Sequence, residues 1–199
     1  MDVHEKLSGY VLNLVEYNDR MHFLSVFTET GKHTISVQKR WLNKPDFLST
    51  SGTPCMVKWL CKKNKREQYV LHEVEPEHTY FNIRSRSDNL NVFRLILTDV
   101  SRWDLFNVDA MLWKYVLHTL FKKLDQSCHP MSVYGCFLSK IIIKEGLFDR
   151  THFSSPRLQP NVLRLLNFWC DNQAISSVDD MNVSEIDCND LKQYLNTHI

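Results

Sequence analysis

The sequence predicts an α+β protein, with an N-terminal five-stranded OB-type β-barrel followed by an α-helical bundle domain. Three observations carry this. Runs rich in β-branched and aromatic residues, with turn residues between them, fill the chain to about residue 80. From about Asp88 the apolar period changes from two to that of a helix. A chain of 199 residues with 43% hydrophobic and 24% charged residues is long and apolar enough to bury a core. The expected division is 1–80 for the barrel, an OB-fold nucleic-acid-binding domain, and 81–199 for the helices.

The first strand is expected over Leu7–Tyr17, with Val11, Leu12, Leu14 and Val15 as core side chains, ending at the turn residues Tyr-Asn-Asp-Arg. His22–Thr28 is the second, with Phe23, Ser25 and Phe27 on one face and Leu24 and Val26 on the other. Glu29 to Lys32 form a tight turn in which Gly31 suits positive φ. His33–Gln38 is the third strand, and Cys55–Leu60 and Gln68–Val74 complete the set around the basic turn CKKNKRE. Five short strands in this space suit an OB barrel, and an SH3-like barrel fits the pattern nearly as well.

Helical periodicity follows. Asn91–Val100 places Val92, Leu95, Ile96 and Val100 together, and Asp109–Leu124 places Leu112, Tyr115, Val116 and Leu120 together. Ser132 is expected to cap a helix running to Glu145 and stopping at Gly146, with Val133, Phe137, Leu138, Ile141 and Ile142 inward. Pro160 opens a helix through Leu163, Leu166 and Trp169. Ser184–Ile199 is the last, with Ile186, Leu191 and Leu195 buried.

The formal net charge of +1 excludes a histone-like polycation but conceals an uneven spread. Residues 81–150 hold 10 basic and 7 acidic side chains, and residues 151–199 hold 3 basic and 6 acidic. The stretch from Lys58 to Arg66 carries five positive charges and no negative one. Candidate nucleic-acid contacts are therefore Arg20, Lys39, Arg40, Lys44, Lys58, Lys62, Lys63, Lys65 and Arg66, with Trp41 as a stacking platform. A solvated basic hairpin and a core tryptophan would explain the same residues.

No phosphate loop, nucleophile elbow, HExxH, zinc-deaminase or EF-hand string occurs, so no enzyme, metal or cofactor is expected. The six cysteines lack a CxxC pair. Cys128-His129 with Cys136 lacks a fourth ligand at ordinary spacing, so reduced, buried thiols are expected. No secretion signal or run of 18 apolar residues is evident, and the expected location is cytoplasmic, without a membrane contact.

The string GYVLNLVEYNDRMHFLSVFTETGKHTISVQKR resembles the start of the bacterial DNA repair protein RecO family. The matching pieces are Gly9 to Leu12, the turn Tyr17 to Arg20, Phe27 to Lys32, and Val37 to Arg40. FLSKIIIKEGLF, from Phe137 to Phe148, resembles that family's helix ending in a glycine step. The chain departs from the family at three places. Asp149 to Gln159 has no cysteine where many members carry a four-cysteine zinc module. Lys39, Arg40 and Trp41 stand where a glycine is usual. Gly135-Cys136 replaces an arginine before the matching Phe137. The chain is also shorter than typical members.

The resemblance implies a non-enzymatic recombination mediator in bacterial DNA repair, associated with the nucleoid. It would bind single- and double-stranded DNA, anneal complementary strands, contact RecR and the C-terminal tail of single-strand-binding protein, and indirectly help load the RecA recombinase. Phe137, Lys140, Ile141 and Lys144 are the candidate docking residues for that acidic tail. A protein–protein scaffold and an RNA-binding OB protein are the alternatives.

Overall fold

The computed structural model describes residues 4–47, 53–64, 67–126, 128–148, 159–171 and 175–198. Five strands form a closed barrel: β1 (His4–Asn18), β2 (Met21–Thr28), β3 (Gly31–Gln38), β4 (Cys55–Lys63) and β5 (Tyr69–Thr79). Their order around the barrel is β1-β2-β3-β5-β4, with β4 returning to β1. All neighbours are antiparallel except β3 and β5, which pair in parallel through Ile35 with Tyr69 and Ser36 with Val70. This is the OB topology, and it settles the choice against an SH3-like barrel.

β1 serves both halves of the barrel. Residues His4 to Gly9 pair with β4, and residues from Gly9 to Asn18 pair with β2. Gly9 sits where both partners meet it, and a Cβ there would collide with the Phe27 carbonyl. Alternation then fills the interior with Leu7, Leu24, Val26, Ile35, Val37, Val57, Trp59, Cys61, Leu71 and Val74. Trp41 and Phe47, from the connection after β3, belong to the same core. Val15, expected inside, is exposed because it lies on the outer side of the pleat.

The remaining elements are α1 (Phe81–Ser85), α2 (Ser87–Arg102), α3 (Ala110–Asp125), α4 (Pro130–Lys144), α5 (Pro160–Asp171) and α6 (Glu185–His198), with short 3-10 turns at Lys39–Trp41, Asp104–Asn107 and Ile175–Asp180. The chain divides into two compact units, Met1–His118 and Thr119–Ile199. The first therefore includes α1, α2 and the opening turns of α3 along with the barrel. Their attachment is polar as well as apolar. Lys32 Nζ donates to the carbonyls of Ser101 (3.1 Å) and Trp103 (2.7 Å), while Asn107 Oδ1 accepts from the Lys32 backbone at 3.0 Å. Phe27, Phe106 and Trp113 stack edge to face beneath these bonds.

Within this unit two expectations about faces change. On α2 the expected Val92, Ile96 and Val100 are buried, together with Phe93 and Leu97, whereas Leu95 is exposed. α3 opens by burying Ala110, Trp113 and Leu117, so Leu112 and Tyr115 point to solvent. Both helices carry apolar residues on two sides, and the large aromatic Trp113 decides which side is covered in α3.

In the second unit α4 is the central element. Val133, Phe137, Leu138, Ile141 and Ile142 are fully buried, beside Val162, Leu166 and Trp169 of α5 and Leu191 and Leu195 of α6. The helix starts at Pro130, whose fixed φ suits a first turn, and not at a Ser132 cap. Ser132 lies one turn in, where its buried hydroxyl donates to the Met181 carbonyl. Ser184 does cap α6. Its Oγ accepts from the Asp187 N–H at 3.2 Å, and the Asp187 carboxylate accepts from the Ser184 N–H at 2.9 Å. Ile186, expected inside, lies on the exposed side of that helix.

Candidate nucleic-acid interface

The candidate cations fall into two groups, and their neighbours separate them. The first group stands at the end of the barrel where β1, β2 and β3 meet. The Asn18 carboxamide accepts from the N–H groups of Arg20 (2.9 Å) and Met21 (3.0 Å), which fixes the β1–β2 turn. Lys39 donates its N–H to the Arg20 carbonyl at 2.9 Å. The 3-10 turn Lys39–Trp41 then holds Arg40 and Lys44 close by, through Leu42 N–H to Lys39 O and Lys44 N–H to Trp41 O. Arg20, Lys39 and Arg40 are exposed and form no ion pair among the described residues. Lys44 is also exposed, with its ammonium 3.7 Å from the centre of the Trp41 ring.

The second group lies on the β4–β5 hairpin and is largely neutralised. Lys58 pairs with Glu77 at 3.7 Å. Lys63 is 2.8 Å from Glu5 and 3.8 Å from Glu67. Glu5 also accepts from the Tyr69 hydroxyl at 2.7 Å. The bond from Lys63, then that from Tyr69, hold the Glu5 carboxyl below the usual carboxylate range, and the bond to Glu5 raises the Lys63 ammonium. Lys62 is half-buried opposite His4 in the ladder. Lys65 and Arg66 lie outside the described residues. A cation already matched by a carboxylate releases fewer counterions from a polynucleotide, so the first group is the better phosphate surface.

Trp41 is not the stacking platform that its position in the sequence suggests. Its side chain is buried in the barrel core, and Lys44 covers a ring face. The available aromatic surface is elsewhere. Tyr17 on β1 and Phe23 on β2 lie with ring centres 4.8 Å apart on the outside of the barrel, next to exposed Val15. Tyr17 is 66% exposed. These rings flank the turn that carries Arg20. The signal was in the alternation: once Leu14 and Leu24 face inward, Val15 and Phe23 must face out.

Phe137 and Ile141 do not form an open docking floor. Both are fully buried in the core of the second unit, as expected of residues at the centre of α4, and only Lys140 and Lys144 of that group reach the surface. Cys128 and Cys136 do not converge on a metal. Cys128 donates to the Asp179 carboxylate, which also holds Lys123 at 2.6 Å, whereas Cys136 is buried in α4. Burial pushes the thiol of Cys55 to about 11 and those of Cys61, Cys136 and Cys188 to about 12, so these are protonated and inert at neutral pH. Among the described residues no group of three or more His, Cys, Asp or Glu side chains could hold a metal ion. The stretch at 149–158, where a zinc module would stand, lies outside the described residues. Among the described residues no helix is long and apolar enough to cross a membrane.

No protein-family model matches the chain, and no curated protein matches it. Among solved structures it is similar to asparaginyl-tRNA synthetase from Pyrococcus horikoshii, with 13% identity and a TM-score of 0.31 over 73% of this chain and 33% of that one. The same enzyme complexed with asparaginyl-adenylate gives 14% identity and a TM-score of 0.31 over 73% and 32%. Aspartyl tRNA synthetase from Entamoeba histolytica gives 11% identity and a TM-score of 0.26 over 85% and 41%. The chain thus spans well under half the length of these structures. The OB assignment rests on the barrel's own strand order.

Proposed function

We propose that this chain is a non-enzymatic binder of single-stranded nucleic acid, and that it acts on DNA as a strand-annealing recombination mediator of the RecO kind. The observation that supports this reading is the juxtaposition of Arg20, Lys39 and Arg40, exposed and without carboxylate partners among the described residues, with the exposed ring of Tyr17 and the half-buried ring of Phe23. Cations of this kind screen phosphates without reading sequence. Aromatic faces accept any base by stacking. Annealing needs both, since two strands must approach each other while their base-pairing edges stay open. Contacts with RecR and with the tail of single-strand-binding protein belong to the same proposal, but the tail would need a surface other than Phe137 and Ile141.

Fluorescence anisotropy with a labelled single-stranded oligonucleotide, titrated at several salt concentrations, tests the binding step. Three phosphate contacts give a slope of log K against log salt of about −2 for a single strand. Annealing of complementary oligonucleotides, with and without single-strand-binding protein, tests the mediator step. Absence of binding at low salt would sink the reading in favour of a protein scaffold. Tighter binding to RNA than to DNA of the same sequence would move the substrate to RNA.

A further inference from the structure

Two histidines from non-neighbouring strands meet on the outside of the barrel. His4 opens β1 and His72 lies in β5, and both strands pair with β4 but not with each other. Both residues are exposed, and their ring centres are 4.8 Å apart with planes tilted by 56°. Neither imidazole has a hydrogen-bond partner among the described residues. Adjacent strands lie about 4.7–4.9 Å apart, so the two rings lean towards each other over β4. A bulge in β5 shapes this surface. Leu60 of β4 faces Glu73 and Cys61 faces Leu71, which leaves His72 as the extra residue. His72 and Glu73 are in consequence both exposed, between buried Leu71 and Val74.

We propose that His4 and His72 hold one divalent ion of the late first-row transition series, copper(II) or zinc(II), through one nitrogen each. The geometry fits. With a metal–nitrogen bond of about 2.0–2.1 Å, an ion in the plane of an imidazole lies about 3.2 Å from the ring centre. Two centres 4.8 Å apart then subtend about 97° at the ion, between the square and the tetrahedral angle. Both rings therefore reach one ion without moving their centres. Neutral imidazole suits these ions, whereas magnesium and calcium demand oxygen ligands. Two protein ligands leave the other positions to water, so the site needs no group of three ligating side chains, and none occurs among the described residues. Glu73 attracts a dication on this side of the sheet, whereas Lys6 and Lys62, which alternate outward with His4, repel it, so binding is weak and reversible. His4 and His72 are far apart in the chain and converge only in the folded barrel. An ion shared by them would tie β1 to β5 across β4 and stabilise the fold.

Copper(II) alone is the first probe, because it binds most tightly in this series. Titrated into the full chain near neutral pH, it should occupy one site whose paramagnetic resonance spectrum carries two imidazole nitrogens. His4→Ala and His72→Ala should each weaken that site at least about tenfold, since loss of even an outer-shell partner costs this much. His129→Ala, at an exposed histidine outside the pair, should leave it unchanged. Both ligand side chains are exposed, so the circular dichroism of the variants should match the parent. Zinc(II) should raise the melting temperature of the parent and of neither ligand variant. A parent that takes up no copper overturns the proposal. So does uptake that is equal in the parent and both ligand variants, or a spectrum with a single nitrogen. A melting temperature that zinc raises equally in all three chains overturns the clamp.

Discussion

The backbone N–H of Lys39 donates to the carbonyl of Arg20 at 2.9 Å, which brings the β1–β2 turn and the 3-10 turn after β3 to one end of the barrel. Reversing charge there should therefore act as one change. Arg20→Glu with Arg40→Glu is expected to weaken oligonucleotide binding and to flatten the salt slope by about 1.4, the value for two single-strand phosphate contacts. Lys58→Glu with Lys63→Glu should do much less, because Glu77 and Glu5 already hold those ammonium groups. Anisotropy titrations of both double variants decide between the two ends. Equal losses would mean that both groups touch the strand.

Tyr17 and Phe23 offer a different signature. Tyr17→Ala should cost about 1–3 kcal/mol of binding by losing one stacked base, while the salt slope stays at the parent value. Tyr17 is exposed, so the melting temperature should hardly move. A loss of affinity accompanied by a changed salt slope would place the ring outside the stacking surface.

A buried polar chain joins the barrel to the helices within the first unit. The hydroxyls of Tyr10 and Tyr80 lie 2.9 Å apart, and the Tyr80 hydroxyl lies 2.8 Å from His118 Nδ1. Tyr80→Phe removes both contacts and strips Tyr10 of this partner, so about 1–3 kcal/mol of stability should be lost. Tyr10→Phe leaves the Tyr80–His118 bond in place and should cost about 0.5–1.5 kcal/mol. Urea denaturation of the two variants gives the order, and the reverse order would contradict this arrangement.

His33 should make stability depend on pH. Burial lowers its imidazole below the ordinary 6.5, against the opposing pull of Glu5 and Glu29. The unfolded chain therefore takes up a proton first as pH falls through 6.5, and the folded state loses stability down to the depressed folded value. His33→Gln should flatten the urea midpoint between pH 7 and the carboxylate range, to about pH 5. Glu5 and Glu29, both held below 4.5, act only at lower pH. An unchanged profile in the variant would assign the dependence to another group.

The barrel is legible because strand-length runs of β-branched and aromatic residues are separated by turn residues. Leu24 and Val26 alternate with Ser25, and Gly31, at φ +109°, sits in the turn that its residue type marks. The core role of Phe137 and Ile141 was equally legible, but a docking role for the same side chains was incompatible with it. The buried side of α3 is not legible, because Leu112 and Tyr115 satisfy helical spacing as well as Trp113 and Leu117 do, and periodicity cannot tell which of two apolar sides meets the barrel. Trp41 was ambiguous in the same way. A tryptophan among lysines suits a stacking platform or a plug, and only the closure of the barrel makes it a plug. Charge neutralisation was illegible in principle, since Lys63 and Glu5 are far apart in the chain and meet only across the ladder. Gly9 is the converse case. Its place in the opening strand carries no turn signal, yet Gly9→Ala should destabilise the barrel by about 1–3 kcal/mol through collision with the Phe27 carbonyl.

Among the described residues the parallel pairing of β3 with β5 spans only Ile35 with Tyr69 and Ser36 with Val70, whereas β2 and β3 share a register of eight residue pairs. The barrel is thus a long meander zipped shut by a short seam. Joining that seam requires closure of the loop between β3 and β5, a long-range step whose entropy cost precedes its reward. Folding should wait on it, and local opening of the native state should begin there. Of the amide protons of Tyr69 and Val70, the one directed at β3 and not at β4 would then exchange with solvent sooner than those at the centre of β2, and the barrel would breathe along one line without coming apart.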